Sequence, residues 1–222
     1  MKMIKLIRLS IVVVMTMAMC IHVNAKSTVC LNNSDLRIND ERDFEELVEE
    51  ILDIKLEHPE WNEHQVSEFM DQLHIISRNG ITDLWNSLTD SEKKLTIRYP
   101  FDALKVDTAR KIAIRQTEVK FGFNGLGDKS DAFRHGIWNA EMTVLIGEIK
   151  AEMFATAHED KDTTGIETDG YLKSQHKEMD LHNNAVGREI GILVLESTEE
   201  QIADVIYRSV NQEDTEFVWL HE

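Results

Sequence analysis

Residues 131–142 read Asp131-Ala132-Phe133-Arg134-His135-Gly136-Ile137-Trp138-Asn139-Ala140-Glu141-Met142. On a helical wheel Asp131, His135, Trp138, Asn139 and Met142, continued by Leu145 and Ile146, share a sector of roughly 120°. Phe133, Ile137 and Val144 make a second apolar ridge on the other side. Apolar residues on both sides predict a helix packed from two directions, inside a bundle. Its buried face carries Asp, His and Asn. Each such group costs several kcal/mol, roughly 2–7, unless it finds a partner.

The same helical spacing recurs on either side of this segment. Upstream, Asn39 and Asp40 offer N-caps for a helix with Phe44, Leu47, Val48, Ile51 and Leu52 in register, ending before Pro59. A second helix is expected at 62–77, with Val66, Phe69, Met70 and Leu73 on one face and Asn79-Gly80 as its stop. Residues 82–88 and a segment opened by the capping box Thr89-x-x-Glu92 follow. Tyr99-Pro100 breaks the pattern, and residues 102–120 are again helical. Gly122, Gly125 and Gly127 mark a loop whose spacing fits neither a P-loop nor a dinucleotide fingerprint, so a plain flexible turn is expected there. Ser130 is the expected cap of the helix over 131–146, and Gly147 separates it from another reaching His158.

Downstream, residues 160–173 are charged and read as a loop that could cover a site. Helices are expected over 174–195 and, after the capping box Ser197-x-x-Glu200, over 198–211. The tail at Phe217 to Leu220 could dock as a short strand or as a cap. With two prolines in the chain and almost no period-two alternation, the fold class is all-α, a multi-helix bundle.

The N-terminus carries an address of its own. Lys2, Lys5 and Arg8 precede an apolar run from Leu9 to Val23 that ends in Val23-Asn24-Ala25, the pattern of a cleavable signal peptide. The run is shorter than the roughly 20 residues a spanning helix needs, so no transmembrane span is expected after cleavage. Met17, Ala18 and Met19 before Cys20 do not favour a lipid-attachment site, and cleavage after Ala25 is preferred. The organisation read from the chain is therefore a signal at 1–25, a flexible lead at 26–39, an N-terminal helical region at 40–94 and a helical domain at 95–222.

Export takes the formal charge from −17 to −20 by removing Lys2, Lys5 and Arg8. Such an acidic surface repels phosphate backbones and excludes an ordinary nucleic-acid-binding module, while leaving metal-dependent hydrolysis open. Cys30 alone remains after cleavage, so stability must come from packing and not from an internal disulfide.

Three segments carry chemistry. Asp131 and His135 are one turn apart, so the carboxylate can orient the imidazole as in hydrolase base pairs, or serve only the helix dipole beside a core histidine. His158-Glu159 closes the next helix, where Ala151, Phe154, Ala155 and His158 face inward, and a helix end suits a ligand or base. In the third, His176, Asp180, Asn183, Asn184, Gly187 and Gly191 share one side of a helix while His182 points away. The two glycines let another helix come close.

Taken in order, Asp131 to Asn139, His158-Glu159, and Met179 to Asn184 followed by Gly187-Arg188 resemble an uncharacterised bacterial domain of secreted, lipoprotein-like and wall-associated proteins. The resemblance covers residues 95–192. It implies an exported helical domain with a shared polar centre, to which it adds Arg134, Asn139 and Arg188, and it implies no particular reaction.

The functional expectation is an exported hydrolase with His135 as base, oriented by Asp131, and with Arg134, Arg188 or an Asn among Asn139, Asn183 and Asn184 stabilising negative charge. In its metal-assisted form, zinc or another divalent ion sits on His135, His158 and Glu159 or Asp180, with one position open to water. A small-molecule, lipid or cell-wall substrate fits this reading. The competing class is a non-catalytic binding or structural module with a buried polar network.

Overall fold

The computed structural model describes residues 33–76 and 80–222. The expected signal peptide, Cys20, Cys30 and residues 26–32 of the expected lead lie outside the described residues. Among these residues the chain forms nine helices: α1 (Asn33–Glu57), α2 (Glu63–Ile76), α3 (Gly80–Ser87), α4 (Asp90–Arg98), α5 (Pro100–Phe121), α6 (Lys129–Ile146), α7 (Glu148–His158), α8 (Lys173–Leu193) and α9 (Glu199–Val210). The extended pairing among them is a single bridge between Ile166 and Leu172 in the loop after α7. The chain is an all-α bundle, and no described helix is long and apolar enough to cross a membrane.

The unit from Arg37 to Glu222 is organised around α6, which packs against α5, α7, α8 and α9. Its two apolar directions are both used. Phe133 is fully buried in an aromatic trio with Phe121 and Tyr207, at centroid separations of 5.3 and 6.1 Å, which joins α6 to α5 and α9. The face carrying His135 and Asn139 turns toward α8. In the N-terminal helices Leu47, Val48 and Ile51 of α1 and Val66 and Met70 of α2 are buried in the same core as Trp85 of α3.

Helix ends show where local signals were read correctly and where a neighbour outcompeted them. Thr89 and Glu92 form the expected capping box at α4, and Pro100 opens α5 at a position where its missing N–H has no intrahelical use. The cap of α6 is Asp128, not Ser130, because the Asp128 carboxylate accepts from both Ser130 N and Asp131 N. At α9 the box is one residue later than expected, Thr198 with Gln201, since Ser197 N is already bonded to Val194 O in the turn that ends α8. Helix α1 begins at Asn33, inside the stretch expected to be a flexible lead; once a helix is nucleated, extending it through polar residues is easy.

Thr89 also ties α4 to α7, because its hydroxyl donates to Ala157 O at 2.7 Å. Thr89→Ala removes the cap and leaves that carbonyl without its donor. The expected loss is about 1–2 kcal/mol, read as a lower urea midpoint at an unchanged m-value.

Candidate functional site

The site exists because two helices touch backbone to backbone. A Cβ on Gly187 would sit 2.4 Å from Gly136 O, and one on Gly191 would sit 2.9 Å from Ala140 O. Bare glycine surfaces one turn apart on α8 thus lie directly against α6. The helices run side by side in the same direction, so Asp131, His135 and Asn139 on α6 meet Asp180, Asn184 and Arg188 on α8.

A chain of amide bonds then decides which nitrogen of His135 carries a proton. Arg188 Nη1, which can only donate, gives to Asn139 Oδ1 at 3.1 Å. Asn139 Nδ2 donates to His135 O at 3.1 Å and to Asn184 Oδ1 at 2.5 Å. Asn184 therefore presents oxygen to the imidazole, and Nδ1 of His135, 3.0 Å away, must be the donor. In the neutral ring the lone pair is on Nε2. That nitrogen faces Asp180 Oδ1 at 3.3 Å and Asp131 Oδ1 at 3.5 Å.

The two carboxylates differ. Asp131 is almost fully buried and well supplied: Gly127 N donates to Oδ2 at 2.7 Å and Arg134 bonds Oδ1. The glycine loop that was expected to be a plain flexible turn is therefore tied down, with Arg134 also donating to Gly125 O at 3.0 Å. Asp180 Oδ1 has no hydrogen bond. Burial pushes the Asp180 carboxyl up to about 6, with Asp131 and Glu159 adding to the rise and His135 and Arg134 opposing it. Glu159 is itself buried and its Oε1 lacks a hydrogen bond.

His158 sits elsewhere. Its Nδ1 lies 2.8 Å from Glu92 Oε1 and its Nε2 2.9 Å from Lys161 Nζ. The end of α7 packs on α4, so the capping glutamate reaches the imidazole with its second oxygen while the first caps Thr89 N. His158 thus does not join the expected metal set; the residues whose ligand atoms lie within 4.8 Å of one another are Asp131, His135 and Asp180. Both imidazoles nonetheless line a cavity of about 490 Å³, with Arg134, Trp138 and Phe154 among its walls. The Trp138 ring lies edge-on between them, its centroid 6.4 Å from His135 and 5.2 Å from His158.

Asn183 shares the face of Asp180 but does other work. It donates to Val218 O at 2.8 Å and accepts from Val218 N at 3.0 Å, so its amide imitates a neighbouring strand for the C-terminal tail. The tail docks there, with Phe217 buried and Leu220 N bonded to Gly127 O. His182 lies on the outer side and contacts Glu216 O.

Two features escaped the sequence reading. Glu92 carried only a capping signal, although a capping box followed 66 residues later by an inward His is now explained. The other is Asp169, whose Oδ2 lies 3.0 Å from His176 Nε2 and 3.3 Å from His221 Nε2. Gly127 packs so closely against these side chains that a Cβ would meet Asp169 Oδ2 at 2.6 Å.

No curated protein and no solved structure matches the chain. The model of one family, described as a domain of unknown function (DUF6973), matches residues 93–214. That stretch is more than half of the chain and contains Asp131, His135, Asn139, Asp180, Asn184 and Arg188, and by this match the chain belongs to the DUF6973 family.

Proposed function

We propose that the chain is an exported hydrolase whose attacking water is activated between His135 Nε2 and the carboxylates of Asp131 and Asp180. The observation that carries this reading is the orientation of one imidazole. Its Nδ1 is committed to Asn184, which turns the Nε2 lone pair toward the carboxylates, at the wall of a cavity. A centre of this kind takes a proton from water as the oxygen adds to an electrophilic carbon or phosphorus, and the leaving group receives a proton in return. Arg134 lines the same cavity and supports the negative charge that develops. A cavity of about 490 Å³ suits a small molecule or one arm of a lipid or cell-wall substrate. Export rests on the charged and apolar pattern of residues 1–25.

The test is a panel of chromogenic esters, amides and phosphodiesters assayed with the parent chain and with His135→Gln. Hydrolysis is expected to fall by about 10²–10⁴-fold in the variant, with the far-UV spectrum unchanged. Equal rates would remove the proposal. One observation favours a second reading: Asn139 and Asn184 are fully buried, as in a non-catalytic module with a sealed polar network. Under that reading no probe is turned over and His135→Gln changes the melting temperature alone.

A further inference from the structure

We infer that Asp131, His135 and Asp180 form a binding site for a divalent cation, zinc by preference. The inference deepens the hydrolase reading of this centre and rests on it only for the use made of the bound water.

Geometry is the first argument. Tetrahedral zinc with bonds of about 2.0–2.1 Å holds its ligand atoms roughly 3.3–3.4 Å apart. His135 Nε2 lies 3.3 Å from Asp180 Oδ1 and 3.5 Å from Asp131 Oδ1, and one ligand atom from each of the three residues falls within 4.8 Å of the others. One nitrogen and two carboxylate oxygens are a donor set zinc accepts.

Charge is the second. Asp131 and Asp180 both converge on His135 Nε2, and Arg134 bonds Asp131 and not Asp180. Buried carboxylates without a counter-charge are strongly unfavourable. Asp180 Oδ1 and Glu159 Oε1 both lack a hydrogen bond, and Glu159 is 95% buried, its relative exposure being 5%. A lone pair on Nε2 aimed at two carboxylates compounds the repulsion. A proton or a cation between them relieves it, and the cation relieves more of it.

The surroundings complete the argument. A ligating histidine needs its other nitrogen held by an acceptor. Asn184 Oδ1 does this for Nδ1, and Asn139 and Arg188 hold Asn184 in turn. Asp131 is steadied by Gly127 N and Arg134. Of the three residues His135 borders the cavity, from which water would reach a fourth position. Water held there would lose a proton to solvent more readily; the hydroxide would bond to the substrate's carbon or phosphorus, the bond to the leaving group would break, and that group would take a proton from solvent. The cluster of Asp169, His176 and His221 does not have this character. His221 Nε2 faces Leu126 O at 3.0 Å, an acceptor, and so carries a proton instead of a lone pair, while His176 Nε2 is bonded to Asp169 Oδ1 at 3.1 Å.

The test is calorimetric titration of the chelator-treated full chain with Zn²⁺. One saturable site is expected, weakened on the order of 100-fold by His135→Gln and by the isosteric Asp180→Asn, and unchanged by Asp169→Asn. Absence of saturable binding overturns the inference. So does affinity unaltered in both centre variants, or affinity lost in Asp169→Asn. Circular dichroism separates lost binding from lost folding. Binding as expected without turnover of any probe supports the site and removes the hydrolase reading; turnover by a chain that shows no saturable binding overturns the site and keeps that reading.

Discussion

Gly187→Ala is expected to unfold the chain at a markedly lower temperature, with a loss of about 3 kcal/mol or more. Its added methyl would lie 2.4 Å from Gly136 O, 2.9 Å from Gly136 Cα and 3.0 Å from Asn139 Cβ. Two of these three atoms are backbone, which no rotamer change can move. Relief requires α8 to slide away from α6, and that separation also pulls Asn184 from His135 and Asn139. In a domain of this length such a loss corresponds to a drop on the order of 10 °C in melting temperature. The ordinary gain in helix propensity on replacing glycine by alanine, about 1 kcal/mol, works in the opposite direction and is too small to compensate. A variant that melted within about 2 °C of the parent would show that the two helices do not meet at these glycines.

A second large effect concerns pH. Glu141 on α6 is buried with Oε1 lacking a hydrogen bond, and burial first, then the charge of Glu199, pushes its carboxyl up to about 7 against the pull of Arg115. Between the ordinary value of 4.5 and about 7 the folded chain binds the proton more tightly than the unfolded chain. Stability from this group is therefore complete below about pH 4.5 and lost as pH rises through about 7. The loss amounts to roughly 3 kcal/mol. Glu141→Gln keeps the shape without the ionisation. It should be more stable than the parent by up to about 3 kcal/mol at pH 8 and by little at pH 4.5. Urea midpoints at the two pH values check this; an equal difference at both would mean that Glu141 does not ionise with the shifted value.

The expected loss in Thr89→Ala is smaller because a cap involves one helix end, and a cap was also the kind of signal most easily read. Thr89 with Glu92, Pro100 at the start of α5 and Gly147 between α6 and α7 act over four residues or fewer. The register of α9 was missed by one residue since Ser197 and Thr198 carry equivalent hydroxyls, and only the turn after α8 selects Thr198. Likewise Asp128 and Ser130 both suit an N-cap, and the carboxylate prevails by accepting two backbone N–H groups.

The candidate centre was partly legible for the same reason. His135 with Asp131, and Asp180 with Asn184, are each separated by one helical turn, so their shared faces follow from the 3.6-residue period alone. Gly187 and Gly191 announced a close neighbour without naming it. Which helix would fill that space depends on contacts about 50 residues apart, such as the 49 between His135 and Asn184. Asn183 illustrates the limit. It lies on the same helical face as Asp180, yet its amide is spent on Val218, 35 residues away.

Periodicity, caps and turn residues thus specify the all-α class and the polar stripes on α6 and α8, because those signals are written within a few residues of where they act. The tautomer of His135, the exclusion of His158 from the centre in favour of Glu92, and the convergence of Asp131 on Asp180 arise only when helices pack. They depend on which distant side chain comes within 2.8 to 3.5 Å of a given atom, a matter that packing of the whole core decides and no local pattern encodes.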